Sequence, residues 1–154
     1  ETEELAVEAV HHLGGEADVR RIMTHPAHMV CSDAQYAGGT PHPRAYGSYA
    51  RYLGRYVREL GVLQLEDCIR RMTSFPAQRL GLLDRGMLRS GYAADVVVFD
   101  PDTILDRATF EEPRQTPAGI DYVLVNGTVV IERGEFTGAL PGRALRRQRA
   151  ETAA

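Results

Sequence analysis

A chain of 154 residues suffices for one ordinary domain of about 100–200 residues, and a hydrophobic share of 44% with a charged share of 25% excludes a disordered or fibrous protein. The net charge of -3 argues against a nucleic-acid partner, because phosphate binding demands a basic surface. No apolar run approaches the roughly 18–20 residues that span a bilayer, so no membrane partner is expected.

All 18 basic residues are arginine, so no catalytic or carbamylated lysine lies within this sequence. The acidic opening Glu1-Thr2-Glu3-Glu4 points away from a secretory leader or an Arg-rich transit peptide. Cys31 and Cys68 form no C-x-x-C pair. They read as reduced thiols of a cytoplasmic protein.

In chain order, Leu5, Ala6, Ala9, Val10 and Leu13 recur at helical spacing, with Gly14-Gly15 as the stop. A short helix is predicted over 17–23, ending before Pro26. Met29-Val30-Cys31 reads as a buried parallel strand, apolar on both faces. A Gly- and Pro-rich loop follows over 33–44, a natural place for chemistry just past a strand end. Tyr49, Leu53, Tyr56, Val57 and Leu60 line one side of the clearest helix, 46–60, which Gly61 ends. Further helices are predicted over 65–73 and from Pro76 through Leu80.

The character changes near Gly86. Residues 95–100 read as a strand, 102–117 as an extended excursion without period, and 120–125 with 128–132 as a hairpin. Asn126-Gly127 supplies the two positive-φ positions of a type I′ turn. Residues 143–154 read as a solvated tail. Alternation of helix and strand followed by a sheet points to the α/β class.

Asp33 is the first chemical candidate. In a barrel of alternating strands and helices the strand C-termini carry the active site, and a carboxylate there can ligate a metal or shuttle a proton. The competing role is a turn or helix cap, common for Asp. In Thr40-Pro41-His42-Pro43-Arg44 the loop can close over a site, with Arg44 offering a two-pronged donor to a carboxylate. The alternative is a rigid proline turn with a solvent-facing Arg. His11-His12 are adjacent on a helix and cannot share one metal. His25 and His28 precede the expected strand and read as structural. With no H-x-H, no H-E-x-x-H and no clustered Cys, the sequence does not assemble a zinc site by itself.

Met29-Val30-Cys31-Ser32-Asp33, Pro41-His42-Pro43-Arg44-Ala45-Tyr46-Gly47 and Gly91-Tyr92-Ala93-Ala94-Asp95-Val96-Val97-Val98-Phe99-Asp100 together resemble the D-aminoacylases (N-acyl-D-amino-acid deacylases) of the amidohydrolase superfamily. Val125-Asn126-Gly127 and Pro141-Gly142-Arg143 extend the likeness, which runs from about 17 to 147. Cys31 and Ala34 depart from it, standing where the family usually has Gly. The family's His-x-His, bridging Cys and two further His belong to earlier strands and are not in this sequence.

The resemblance implies a fold: the C-terminal part of a metal-dependent (β/α)8 barrel followed by part of a small β-sandwich domain. Residues 1–85 would be the last barrel strand and helices, 86–142 the C-terminal strands of the small β domain, and 143–154 a tail. It also implies a function, zinc-dependent hydrolysis of the amide of an N-acyl-D-amino acid. Asp33 would be acid/base and metal ligand, Arg44 and His42 would bind substrate, and most zinc ligands would lie elsewhere. The fragment alone is then expected to be inactive and prone to self-association through unpaired strands. Two alternatives are a cyclic amidohydrolase of the hydantoinase or dihydroorotase type and a non-catalytic binding fragment.

Overall fold

The structure, a computed structural model, describes residues 14–36 and 40–146. Helices occupy the first half: α1 Glu16–Met23, α2 Arg44–Arg51, α3 Leu65–Met72 and α4 Ser74–Leu80. A π-helical stretch, Tyr52–Glu59, continues directly from α2. The second half is one antiparallel sheet in the order β1 Val96–Phe99, β2 Ile120–Val125, β3 Thr128–Glu132 and β4 Glu135–Phe136. Mixed helix and sheet place the chain in the α/β class, as the alternation of patterns leads one to expect. The expected helix over 5–13 lies outside the described residues.

The helices form where the sequence marks them. Glu66 and Asp67 in the first turn of α3 and Arg70 and Arg71 in its last complement the helix dipole. At the end of α4, Gly81 is left-handed, and the N–H groups of Gly81 and Leu82 return to the carbonyls of Gln78 and Ala77. Those two bonds satisfy the last carbonyls in the Schellman manner.

The expected strand Met29–Cys31 is corrected. It carries no regular structure, because a strand exists only through a ladder partner, and no described strand lies beside it. The Val30 N–H instead reaches the Arg71 carbonyl at the end of α3 (3.1 Å). Val30 is buried, whereas Cys31 is exposed. The expected 46–60 helix also differs: it opens two residues early, and its second half is wound in π fashion.

The hairpin is as read. Val125 faces Thr128 across Asn126-Gly127, whose φ angles are 49° and 81°. Arg133-Gly134 repeats the device, with φ of 50° and 81°, and adds β4, an element the sequence reading left out. The register shifts between Val98 and Phe99 and between Val123 and Leu124, so the ladder is interrupted at two places.

One core joins the two halves. Met23, Ala50, Leu53, Tyr56, Leu63, Cys68 and Ile104 are buried together, with Phe99 and Ile120 packed against them. Ile104 arrives there through a turn that Asp100 builds, its carboxylate accepting from the Asp102 N–H (2.9 Å) and the Thr103 hydroxyl (2.9 Å). Arg58 then donates to the Ile104 carbonyl (2.6 Å) and ties this turn to the π stretch. Gly54 is required at the crossing, since a Cβ there would sit 2.6 Å from the Ile104 oxygen.

Candidate functional site

Asp33 stands at the end of the segment that Arg71 holds. The Arg71 side chain is buried, and its Nη1 donates to the carbonyls of Met23 (3.3 Å), His25 (2.7 Å) and His28 (3.2 Å). Its Nε pairs with Asp67 (2.6 Å). Both the side chain and the carbonyl of Arg71 therefore grip residues 23–30, just before Asp33. This residue escaped the sequence reading, since no local pattern marks an arginine whose carbonyl partners lie more than forty positions away.

His25 and His28 serve structure, as read. The His25 ring accepts from the Ala27 N–H (3.2 Å), and the His28 ring bonds the Tyr52 hydroxyl (3.2 Å) and stacks on that ring. Burial, and secondarily the charge of Arg71, lowers the pKa of His28.

Asp33 itself has φ of 47°, a left-handed conformation uncommon for a residue with a Cβ. Its N–H points at the Cys31 sulfur (3.3 Å). Its carboxylate is open to solvent at 83% side-chain exposure, with Arg44 Nη2 3.2 Å from Oδ2. An exposed pair of this kind adds little stability. Its significance is positional: it brings together two residues singled out from the sequence.

The loop chemistry places Arg44. Pro43 precedes the first turn of α2, and the His42 Nδ1 accepts the Arg44 N–H (3.0 Å). The Ser48 hydroxyl donates to the Arg44 carbonyl (2.8 Å). Tyr36, beyond Asp33, reaches the Ala45 carbonyl (3.2 Å) and meets Tyr46 edge-on. The Arg44 Nε is buried and has no hydrogen-bond partner among the described residues.

Behind Arg44 lies a cavity of about 370 Å³ between α2 and residues 106–111. Gly47 permits the close approach of its two walls, since a Cβ there would lie 3.0 Å from that of Asp106. His42 and Arg44 both line the cavity, and the His42 ring meets Phe110 edge-on at 5.1 Å. Arg51, one heptad beyond Arg44, pairs with Asp106 (3.0 Å). Burial opposes the Arg51 charge, but the hydrogen bond and charge of Asp106 prevail and raise its pKa. Helical spacing could have placed Arg51 beside Arg44 in advance. Nothing local could have supplied Asp106 or Phe110, which come from the aperiodic excursion.

The described residues contain no group of three or more His, Cys, Asp or Glu able to hold a metal ion. Asp33 is a single donor, so the described residues do not fit a self-contained zinc centre. Among them there is also no helix long and apolar enough to cross a membrane.

A model of the amidohydrolase family matches residues 3–131. This chain is an amidohydrolase family member. The amidohydrolase chain is 49% identical over 139 residues to N-acyl-D-glutamate deacylase of Alcaligenes xylosoxydans xylosoxydans, covering 90% of this chain and 28% of that protein. It is 45% identical over 139 residues to D-aminoacylase of the same organism, covering 90% of this chain and 29% of the relative. A solved N-acyl-D-glutamate deacylase from Bordetella bronchiseptica, complexed with zinc and a phosphonate inhibitor, superposes with a TM-score of 0.74 at 52% identity. That match covers 75% of this chain and 24% of the other. The chain thus spans less than a third of the length of the curated relatives it matches.

Proposed function

We propose that this chain is the acid/base-bearing part of a zinc-dependent amidohydrolase that hydrolyses N-acyl-D-amino acids. Residues 1–85 would close its (β/α)8 barrel, 86–142 would form part of its small β-sandwich domain, and 143–154 a tail. The free thiols of Cys31 and Cys68 favour a cytoplasmic setting.

The observation that carries this reading is the pairing of Asp33 with Arg44, which together with His42 lines one cavity. Identity of 45–49% to deacylases supports the reaction class.

In the proposed reaction a water attacks the acyl carbon. The Asp33 carboxylate takes a proton from that water as the C–O bond forms. It then delivers the proton to the amide nitrogen as the C–N bond breaks, leaving a carboxylate and a free D-amino acid. Arg44 holds the carboxylate of the amino-acid part through paired N–H donors, and His42 walls the cavity beside it. Zinc is the proposed metal, on the strength of the zinc-bound relative. Asp33 is the donor this chain offers, so the isolated chain is expected to be inactive.

The test is a hybrid in which this chain replaces the matching segment of D-aminoacylase. It should release free amino acid from N-acetyl-D-amino acids and not from their L forms or from hydantoins, while the isolated chain releases none. A folded, zinc-loaded hybrid that opens hydantoins and ignores N-acetyl-D-amino acids would favour the cyclic amidohydrolase instead.

A further inference from the structure

A second cavity, of about 360 Å³, lies between the loop 82–85 and the segment 143–146. Three arginines line it, Arg85, Arg143 and Arg146, against one carboxylate, Asp84. The Asn126 side chain, in the β2–β3 turn, ties its two walls together. The Asn126 Oδ1 accepts from Arg85 Nη2 (2.9 Å), and its Nδ2 donates to the Pro141 carbonyl (2.9 Å), just before Arg143. The Arg85 side chain is largely buried and its charge is already met, since Asp95 bonds its Nη1 and Asp84 lies 3.9 Å from its Nε. Asp95 also accepts the Asn126 N–H (2.8 Å), which fixes this wall further. Arg143 and Arg146 are different. Other arginines of the chain lean on carboxylates, as Arg51 on Asp106 and Arg70 on Asp67. These two are exposed and form no hydrogen bond or ion pair with any described residue, although both line the same cavity.

We propose that this cavity binds a small phosphate-type oxyanion, either free phosphate or the phosphate group of a small molecule. The site is separate from Asp33 and Arg44 and does not rest on the deacylase reading. Arg143 and Arg146 bring two positive charges to one cavity, and an anion between them turns their repulsion into attraction. Each guanidinium presents a planar fork of donors. A monocarboxylate fills one fork, whereas a phosphate has oxygens enough for both. A cation would meet the same two charges with the wrong sign. An apolar ligand would strip water from the guanidiniums and return no hydrogen bond. The volume is at the small end of the usual range for small-molecule pockets, about 300–1,000 Å³, which suits a small anion. Residues 143 and 146, read from the sequence as part of a solvated tail, thus become one wall of a binding site.

The experiment titrates the 154-residue chain with inorganic phosphate, glycerol phosphate and acetate, followed by ¹H–¹⁵N spectra. Phosphate should shift the amides of Leu83, Asp84 and Arg143 together and bind about tenfold more tightly than acetate, as expected when two forks are filled in place of one. Arg143→Gln with Arg146→Gln should weaken phosphate about tenfold or more, with the β2 and β3 amides unmoved. Arg143→Lys with Arg146→Lys keeps the charge and should lose less. Asp84→Asn, which removes the carboxylate from the wall, should tighten binding about two- to threefold. Glycerol phosphate binding more tightly than phosphate assigns the site to a phosphorylated small molecule, and equal binding assigns it to the free anion; both support the proposal. Shifts confined to residues 143–146, with none at 82–85, show a counterion on the tail and overturn it. Acetate binding as tightly as phosphate, or phosphate binding unchanged in the double Gln variant, overturns it as well.

Discussion

Arg71 shows how much one side chain can decide. It is buried, touches three carbonyls through Nη1, and meets Asp67 through Nε. Removing it strands three carbonyls, that of Met23 in a fully buried bond, a penalty larger than the loss of one exposed ion pair. Arg71→Ala should cost about 3 kcal/mol in urea unfolding, with faster amide exchange over 23–33 than over β2 and β3. Arg71→Lys should recover little, because a single ammonium cannot reproduce the fork. A loss under about 1 kcal/mol would show that the grip on the Asp33 segment is dispensable.

His28 sets a pH dependence. Its pKa is lowered in the fold by burial first and by Arg71 second. The unfolded chain therefore takes up this proton at a pH where the folded chain does not. The His28 contribution is intact above the ordinary histidine pKa and is lost as pH falls from there toward the lowered folded value. His28→Gln should flatten that part of a stability-against-pH curve. Cys68 acts at the other end: burial, then the charge of Asp67, pushes its thiol up to about 11 from 9.0. Stability should fall as pH rises through that interval, and Cys68→Ala should remove the fall.

Among the elements, the π stretch Tyr52–Glu59 and the turn at 100–104 depend on each other. Gly54 gives the turn room, Arg58 bonds its carbonyl, and Ile104 fills the space between. Gly54→Ala would ordinarily strengthen a helix by about 1 kcal/mol. Here the Cβ would meet the Ile104 oxygen at 2.6 Å. The net effect should be a loss of about 1–3 kcal/mol, measured by denaturant unfolding, and a gain in stability would contradict the close crossing.

These elements also show what the sequence could and could not disclose. Helices α1, α3 and α4 and the β2–β3 hairpin follow from period, caps and Asn126-Gly127, all of them local signals. The strand expected at 29–31 did not form, because a ladder needs a partner and apolar residues alone do not supply one. The role of Ile104 was hidden because the turn that buries it comes from Asp100 and Thr103 side chains within an aperiodic stretch. Of the candidate site, Asp33, His42 and Arg44 were legible from the loop and its family resemblance. The Arg51–Asp106 pair was not, since its partners are 55 positions apart.

For the molecule as a whole, the two sheet edges differ. β4 is two residues long and opens on a glutamate, which discourages pairing. The outer edge of β1 has no partner among the described strands, holds four apolar residues, and leaves Val97 54% exposed. Leu80, Leu83, Leu88 and Leu140 are also exposed. Such an edge recruits other chains. We expect the isolated chain to associate with itself as concentration rises in sedimentation velocity. Val97→Lys should shift it toward monomer, and a chain that stays monomeric throughout would refute a recruiting β1 edge.

The proposed role of this chain is to contribute the acid/base carboxylate of an N-acyl-D-amino-acid deacylase. The measurement that bears on it most directly is the kcat of the D-aminoacylase hybrid carrying this chain, with and without Asp33→Asn. A fall of about 10²–10⁴-fold is expected, the usual worth of a positioned acid/base group, with the hybrid still folded and Arg44 still binding acetate. Turnover unchanged by Asp33→Asn would remove Asp33 from the reaction and contradict the account.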